Sequence, residues 1–186
     1  MKPMYHTQMH NVYVISPFIF KDERGTFREM FNEKESINIP GPPTAYVQDN
    51  VAVSRKNVLR GLHFQKAPHS QGKLVTCLHG KIWDVFVDLR PDSLYYKQWM
   101  SIELVDDAGT LLYVPPGFAH GYLTLTSKAV VLYKCTEYYH PECESGIRWD
   151  DPDLNIPWKF SDVIISEKDE QLPFLKEIEN DLGHWW

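Results

Sequence analysis

The chain reads as a succession of short runs in which apolar and polar residues alternate every second position, separated by turn residues. This pattern predicts strands over Val12–Ile15, Phe27–Phe31, Ala45–Val53, Val58–Phe64, Leu74–Leu78, Ile82–Leu89, Met100–Val105, Leu111–Val114, Tyr122–Leu125 and Val130–Tyr138. The pleat is clearest from Lys81 to Leu89. There Trp83, Val85, Val87 and Leu89 share one face, and Ile82, Asp84, Phe86 and Asp88 share the other. A full apolar stripe opposite an aromatic-plus-carboxylate stripe suits a barrel wall whose second face lines a polar pocket. Helix is scarce. Asn32-Glu33-Lys34-Glu35 can cap a short one, and Ser166-Glu167-Lys168-Asp169 resembles a capping box. Ile39-Pro40-Gly41-Pro42-Pro43 and Pro115-Pro116-Gly117 read as loops. No repeat or low-complexity linker divides the sequence. About ten short strands point to one all-β domain over residues 1–186, an antiparallel jelly roll or barrel with a few short helices. Residues 174–186 form a C-terminal tail without a clear role, and the barrel mouth is the natural place for a small-molecule site.

Composition narrows the class. With 43% hydrophobic residues the chain can build a core. No apolar stretch approaches the roughly 18 residues of a membrane-spanning helix. Met1 to His10 lacks the apolar centre of a signal peptide, so a cytoplasmic location is expected. The three cysteines, Cys77, Cys135 and Cys143, form no CxxC pair, which disfavours both a disulfide framework and a cysteine zinc site. The net charge of −6, from 19 Lys+Arg against 25 Asp+Glu, argues against a broad nucleic-acid-binding surface. That charge is unevenly spread. From Asn50 to Trp83 there is no Asp or Glu, while Arg55, Lys56, Arg60, Lys66, Lys73 and Lys81 fall in the window with His63, His69 and His79. A concentrated positive region in an acidic protein suggests a small anionic ligand.

Gly109, Pro115, Gly117 and His120 stand in a G-x5-P-x-G-x2-H spacing that resembles the second motif of the cupin superfamily of small jelly-roll barrels. In metal-binding cupins that histidine is joined by an H-x-H pair and a glutamate. Here the corresponding segment is Gly61-Leu62-His63-Phe64-Gln65, with Gln65 in place of the second histidine and no Glu following it until Glu103. A zinc or iron site needs three or four convergent ligands, so a metal-free cupin barrel is expected. On this motif alone the lesser alternative is that His120 is only a polar turn residue.

Further strings are more specific: Asp22-Glu23-Arg24-Gly25-Thr26-Phe27, Gln48-Asp49-Asn50, Val58-Leu59-Arg60-Gly61-Leu62-His63-Phe64-Gln65, Gln71-Gly72-Lys73-Leu74, Pro116-Gly117-Phe118-Ala119-His120-Gly121 and Tyr133-Lys134-Cys135-Thr136. Together, and in this order, they resemble the dTDP-4-dehydrorhamnose 3,5-epimerase family from about Val12 to Pro173. The resemblance implies a cofactor-independent isomerase that inverts carbons 3 and 5 of dTDP-4-dehydro-6-deoxyglucose. Such chemistry needs a base, a cation for the C4 oxyanion and an acid on the opposite ring face. By resemblance His63 is the base, Lys73 stabilises the enolate, Tyr133 is the acid and Asp169 pairs with the base. Arg24, Phe27, Glu29, Gln48, Asp49, Asn50, Arg60, His120, Glu144 and Lys168 are implied at the substrate site. A homodimer with exchanged N-terminal strands is also implied, in which Arg24 and Phe27 complete the partner's site.

The residues alone leave blander readings open. A single strand histidine is usually structural, a lone lysine is usually solvated, and a tyrosine in the run Ala129–Leu132 is usually core. Asp169 could serve only the helix start, Asp84 is an alternative partner for a pocket cation, and Glu142 competes with Glu144 for one alignment position. At the level of activity, a mono-epimerase or ketoisomerase of a related sugar, a metal-dependent cupin enzyme and a non-catalytic sugar-nucleotide binder are the alternatives.

Overall fold

The computed structural model describes residues 4–7, 9, 11–36, 43 and 45–185. Most of the expected 39–43 loop lies outside these residues. Thirteen strands are present among them: β1 (Met4–His6), β2 (Tyr13–Ile15), β3 (Ile19–Asp22), β4 (Gly25–Arg28), β5 (Gln48–Arg55), β6 (Leu59–Gln65), β7 (Lys73–His79), β8 (Lys81–Asp88), β9 (Trp99–Val105), β10 (Leu111–Val114), β11 (Phe118–Thr124), β12 (Lys128–Cys135) and β13 (Glu144–Gly146). One sheet runs β1-β2-β10-β7-β12-β5 and a second runs β13-β6-β11-β8-β9, while β3 and β4 pair only with each other. All the pairings between these strands are antiparallel. The molecule is thus mostly β, with the cupin-like double-sheet architecture that the alternation predicted.

The alternation in β8 explains how the layers assemble. Ile82 and Phe86 join Val75, Cys77, Leu112, Ala129 and Val131 of the facing sheet in the cluster between the sheets. Trp83, Val85, Val87 and Leu89 point the other way and are covered by Ile147, Leu154, Leu175 and Leu182. The last two belong to the segment after residue 173, where α3 (Leu175–Ile178) follows α2 (Glu167–Glu170). Each is fully buried, worth about 1.5–3 kcal/mol by apolar area. The buried Asp151 carboxylate fastens the same segment by accepting the Leu175 N–H at 2.6 Å. The C-terminal chain therefore closes the outer face of the five-stranded sheet and carries α2 to the barrel rim.

Some expected bounds shift for local reasons. Strand β11 begins at Phe118, earlier than the predicted Tyr122, because the turn ends at Gly117 (φ +89°) and the following residues pair with β8 at once. The expected Phe27–Phe31 strand stops at Arg28, since it belongs to a tight hairpin that turns at Gly25 (φ +127°). Three-residue β13 is too short and too polar to show an alternating pattern. The predicted helix at Asn32 forms as α1 (Glu33–Ser36), with Asn32 Oδ1 accepting the Lys34 N–H at 3.1 Å.

Candidate active site

Strand β6 delivers two interior residues that ordinary strand spacing would place on opposite faces. Arg60 and His63 are three apart, but the β6–β11 register slips between them, with His63 opposite His120 and Arg60 opposite Tyr122. The slip occurs at Gly61, whose φ of +118° suits only glycine. A side chain there would sit 2.6 Å from Gly121 Cα, so the two glycines let the strands approach at the bulge.

His63 Nε2 lies 2.7 Å from Asp169 Oδ1, while Asp169 Oδ2 accepts the Gly61 N–H at 3.1 Å. Asp169 is buried. Burial alone would raise its carboxyl, but the hydrogen bond and charge of His63, with the Gly61 and Ser166 bonds, hold it below the usual range. It is therefore an acceptor, and His63 donates to it through Nε2. The capping box and the ion pair do not compete. Ser166 Oγ accepts the backbone N–H of Asp169 at 3.2 Å, leaving that residue's side chain free to reach His63.

The facing sheet supplies Lys73 from β7 and Tyr133 from β12. Burial lowers the Lys73 ammonium, against the pull of Cys135, Glu144 and Asp84. Burial also raises the Tyr133 phenol, reinforced by Cys135 and Tyr122 and opposed by Arg60, so it stays protonated at neutral pH. His120 Nε2 stands 3.0 Å from each Asp84 oxygen, both residues buried. Burial raises the Asp84 carboxyl, against His120 and Lys73. At the rim, Lys168 Nζ donates to Glu144 at 2.5 Å, and Tyr139 Oη donates to the same carboxylate.

A cavity of about 290 Å³ gathers Arg60, His63, Lys73, His120, Tyr133, Glu144, Lys168 and Asp169 of the expected residues, with Tyr122 and Ser166 added. A second cavity of about 250 Å³ shares His63, Lys73, Tyr133 and Glu144 and adds Gln48, Asn50, Gln71 and Tyr139. Asp49 enters neither cavity. Strand alternation turns it outward, where it pairs with Lys134 at 2.6 Å. Arg24, Phe27 and Glu29 are likewise outside both. Arg24 and Phe27 belong to the β3–β4 hairpin, and Glu29 follows it. Tyr122 and Tyr139 escaped sequence reasoning, because a tyrosine beside apolar strand residues or in the polar Tyr138–Glu142 stretch carries no distinguishing signal. Of the two glutamates competing for one position, Glu144 lines the cavities, whereas Glu142 holds His140 at the surface.

Among the described residues, one group of three metal-ligating types converges: His69, His140 and Glu142, outside both cavities. Its imidazoles stack at 3.5 Å with planes 7° apart, so their lone pairs run parallel instead of meeting. Gln65, where metal cupins place a ligand, donates its amide to the His69 and Tyr138 carbonyls at 2.8 and 3.0 Å and accepts the His140 N–H. It ties two loops together.

A jelly-roll barrel that sets a carboxylate-backed histidine, a half-buried lysine and a protonated phenol around one cavity defines a cupin-like enzyme built for proton transfer. Residues 6–177 match the family model described as dTDP-4-dehydrorhamnose 3,5-epimerase. The chain is 46% identical over 173 residues to the dTDP-4-dehydrorhamnose 3,5-epimerase of Escherichia coli strain K12, covering 92% of this chain and 94% of that one. It is 47% identical over 174 residues to the enzyme of the same name from Methanothermobacter thermautotrophicus, covering 92% and 93%. The crystal structure of a dTDP-6-deoxy-D-glucose-3,5-epimerase from Legionella pneumophila, in complex with dTDP-4-keto-L-rhamnose, superposes with a TM-score of 0.94 at 40% identity, covering 100% of this chain and 99% of that one. The chain belongs to the dTDP-4-dehydrorhamnose 3,5-epimerase family, an isomerase class.

Proposed function

We propose that this protein inverts carbons 3 and 5 of dTDP-4-dehydro-6-deoxyglucose with His63 as base, Tyr133 as acid, Lys73 as enolate stabiliser and Asp169 as the partner of His63. One observation carries the reading. His63 and Tyr133 rise from opposite sheets and line the same cavity, so a hexose ring between them meets a base on one face and an acid on the other. Inversion requires that arrangement, since the proton must leave one face and arrive at the other.

The C4 ketone makes the protons on carbons 3 and 5 acidic. His63 Nδ1 takes the proton, and Asp169 stabilises the imidazolium through Nε2. The Lys73 ammonium stabilises the negative charge that develops on the C4 oxygen, in a site where burial strengthens the interaction. Tyr133, kept neutral by burial, holds a proton to return from the far side. Arg60 and Lys168 supply cations for the diphosphate, while Gln48, Asn50, His120 and Glu144 supply hydrogen-bonding groups.

The same reading includes a homodimer with exchanged N-terminal strands. Support comes from two apolar surfaces. Phe20 and Phe27 on the β3–β4 hairpin are 64% and 68% exposed, and Val51 and Val53 on edge strand β5 are 61% and 58% exposed. In a dimer the hairpin brings Arg24, Phe27 and Glu29 to the partner's cavity. The whole chain is read as one domain. No helix among the described residues is long and apolar enough to cross a membrane, and the cysteine usage supports a cytoplasmic location.

Proton NMR in deuterium oxide with dTDP-4-dehydro-6-deoxyglucose tests the reading. The wild type is expected to incorporate deuterium at carbons 3 and 5, and His63→Ala to incorporate it at neither. Undiminished incorporation in His63→Ala would overturn the assignment of the base.

A further inference from the structure

Strand β5 turns Gln48, Asn50, Ala52 and Ser54 inward and Asp49, Val51, Val53 and Arg55 outward. Gln48, Asn50 and Ala52 line the two cavities, whereas Ser54, the last residue on that face, lines neither and is only 3% exposed. Its hydroxyl is nevertheless engaged. Ser54 Oγ accepts the Nε–H of Arg60 at 3.1 Å, a bond that runs from one sheet to the other. Tyr122 on β11, opposite Arg60, closes the same spot. Burial raises its phenol, and the neighbouring Ser54 hydroxyl and Arg60 charge oppose that rise. Arg60 itself is exposed and lines the main cavity. The acids of that cavity's surroundings are committed to other partners, Asp169 to His63, Asp84 to His120 and Glu144 to Lys168.

A guanidinium offers five N–H groups in a rigid fork and can present either of two kinds of edge to an anion. With Nε held by Ser54, the edge that pairs Nε with a terminal nitrogen is occupied, and the edge formed by the two terminal nitrogens remains. We propose that Ser54 is a positioning residue for the nucleotide sugar, fixing Arg60 through Nε so that its terminal edge binds two oxygens of the diphosphate side by side. The bond removes in advance part of the side-chain freedom that a long arginine would otherwise lose when the ligand arrives. Bidentate contact also demands a fixed plane, which one in-plane hydrogen bond at Nε supplies.

The inference rests on the substrate class and the Arg60 role proposed above. Calorimetry with dTDP and steady-state kinetics with dTDP-4-dehydro-6-deoxyglucose compare the wild type, Ser54→Ala, Arg60→Ala and the double variant. In Ser54→Ala, dTDP affinity is expected to fall about fivefold and KM to rise by a similar factor. Its kcat should stay nearly unchanged, because a diphosphate contact is made equally in the ground and transition states. In the Arg60→Ala background, read as kcat/KM, the serine substitution is expected to have no further effect, since the group it acts through is gone. A loss that persists in that background would overturn the proposal, as it would show Ser54 acting by packing alone. So would a fall in kcat at constant KM. A wild type that binds dTDP no better than Ser54→Ala does removes this inference and leaves the substrate reading standing. A wild type that binds no dTDP removes both.

Discussion

Lys73 holds its ammonium on the interior face of β7, and burial lowers its pKa even though Cys135, Glu144 and Asp84 pull the other way. A lysine whose native pKa lies below its unfolded value of about 10.4 binds fewer protons folded than unfolded. The charge is therefore a full cost to stability below the native pKa. That cost fades as pH rises from the native value to about 10.4. Lys73→Met is expected to be more stable than the wild type at neutral pH by the order of 1 kcal/mol, about 2–4 °C in Tm for a domain of this size. The advantage should shrink as pH rises, and thermal melts of both proteins across the alkaline range would show it. Turnover by the variant should fall about 10²–10³-fold if Lys73 is the proposed oxyanion cation. Asp169 shows the opposite sign. Its native pKa is lowered, so its contribution is present above the ordinary carboxylate pKa and is lost as pH falls through the native value.

At the scale of elements, the bulge in β6 decides which residues share the cavity. Alternation from Leu59 to Gln65 puts Arg60 and His63 on opposite faces, and only the register slip at Gly61 brings both inward. The sequence shows the glycine but not the slip, because the reason for it is Gly121 on a strand about sixty residues away. Gly61→Ala would place Cβ 2.6 Å from Gly121 Cα at a φ of +118°, so it should cost at least about 2 kcal/mol. It should also lower turnover, since the Gly61 N–H orients Asp169. Urea unfolding together with kcat measures both. The Ser166 helix start was visible as a capping pattern, and its apparent conflict with an Asp169–His63 pair was an ambiguity of sequence. Backbone and side chain of Asp169 act separately once α2 lies against β6.

For the whole molecule, the unanswered surfaces are the apolar stripe on β5 and the β3–β4 hairpin, which among the described residues has no strand partner beyond itself. Arg24, Phe27 and Glu29 stand outside the cavity of their own chain, and the proposed dimer would bring them to the partner's. If the proposed dimer forms through these surfaces, the wild type is expected to sediment as a dimer and the double variant Val51→Glu, Val53→Glu as a monomer. Its kcat/KM should fall if the hairpin completes the partner's site. Sedimentation velocity and steady-state kinetics on the same preparation check the two halves of that expectation.

The acid-free window from Asn50 to Trp83, the two-residue alternation of β8 and the ordered motif strings are properties of the sequence alone. They sufficed for an all-β barrel, an anionic small-molecule ligand and the family. Local chemistry determines these features, since a pleat alternates whatever lies across it and a charge imbalance survives any folding. The pairing of His63 with Asp169, the entry of Arg60 beside His63 and the outward turn of Asp49 were decided only by tertiary structure. Each depends on a partner far along the chain or on a one-residue change of register, and neither leaves a periodic trace in the sequence.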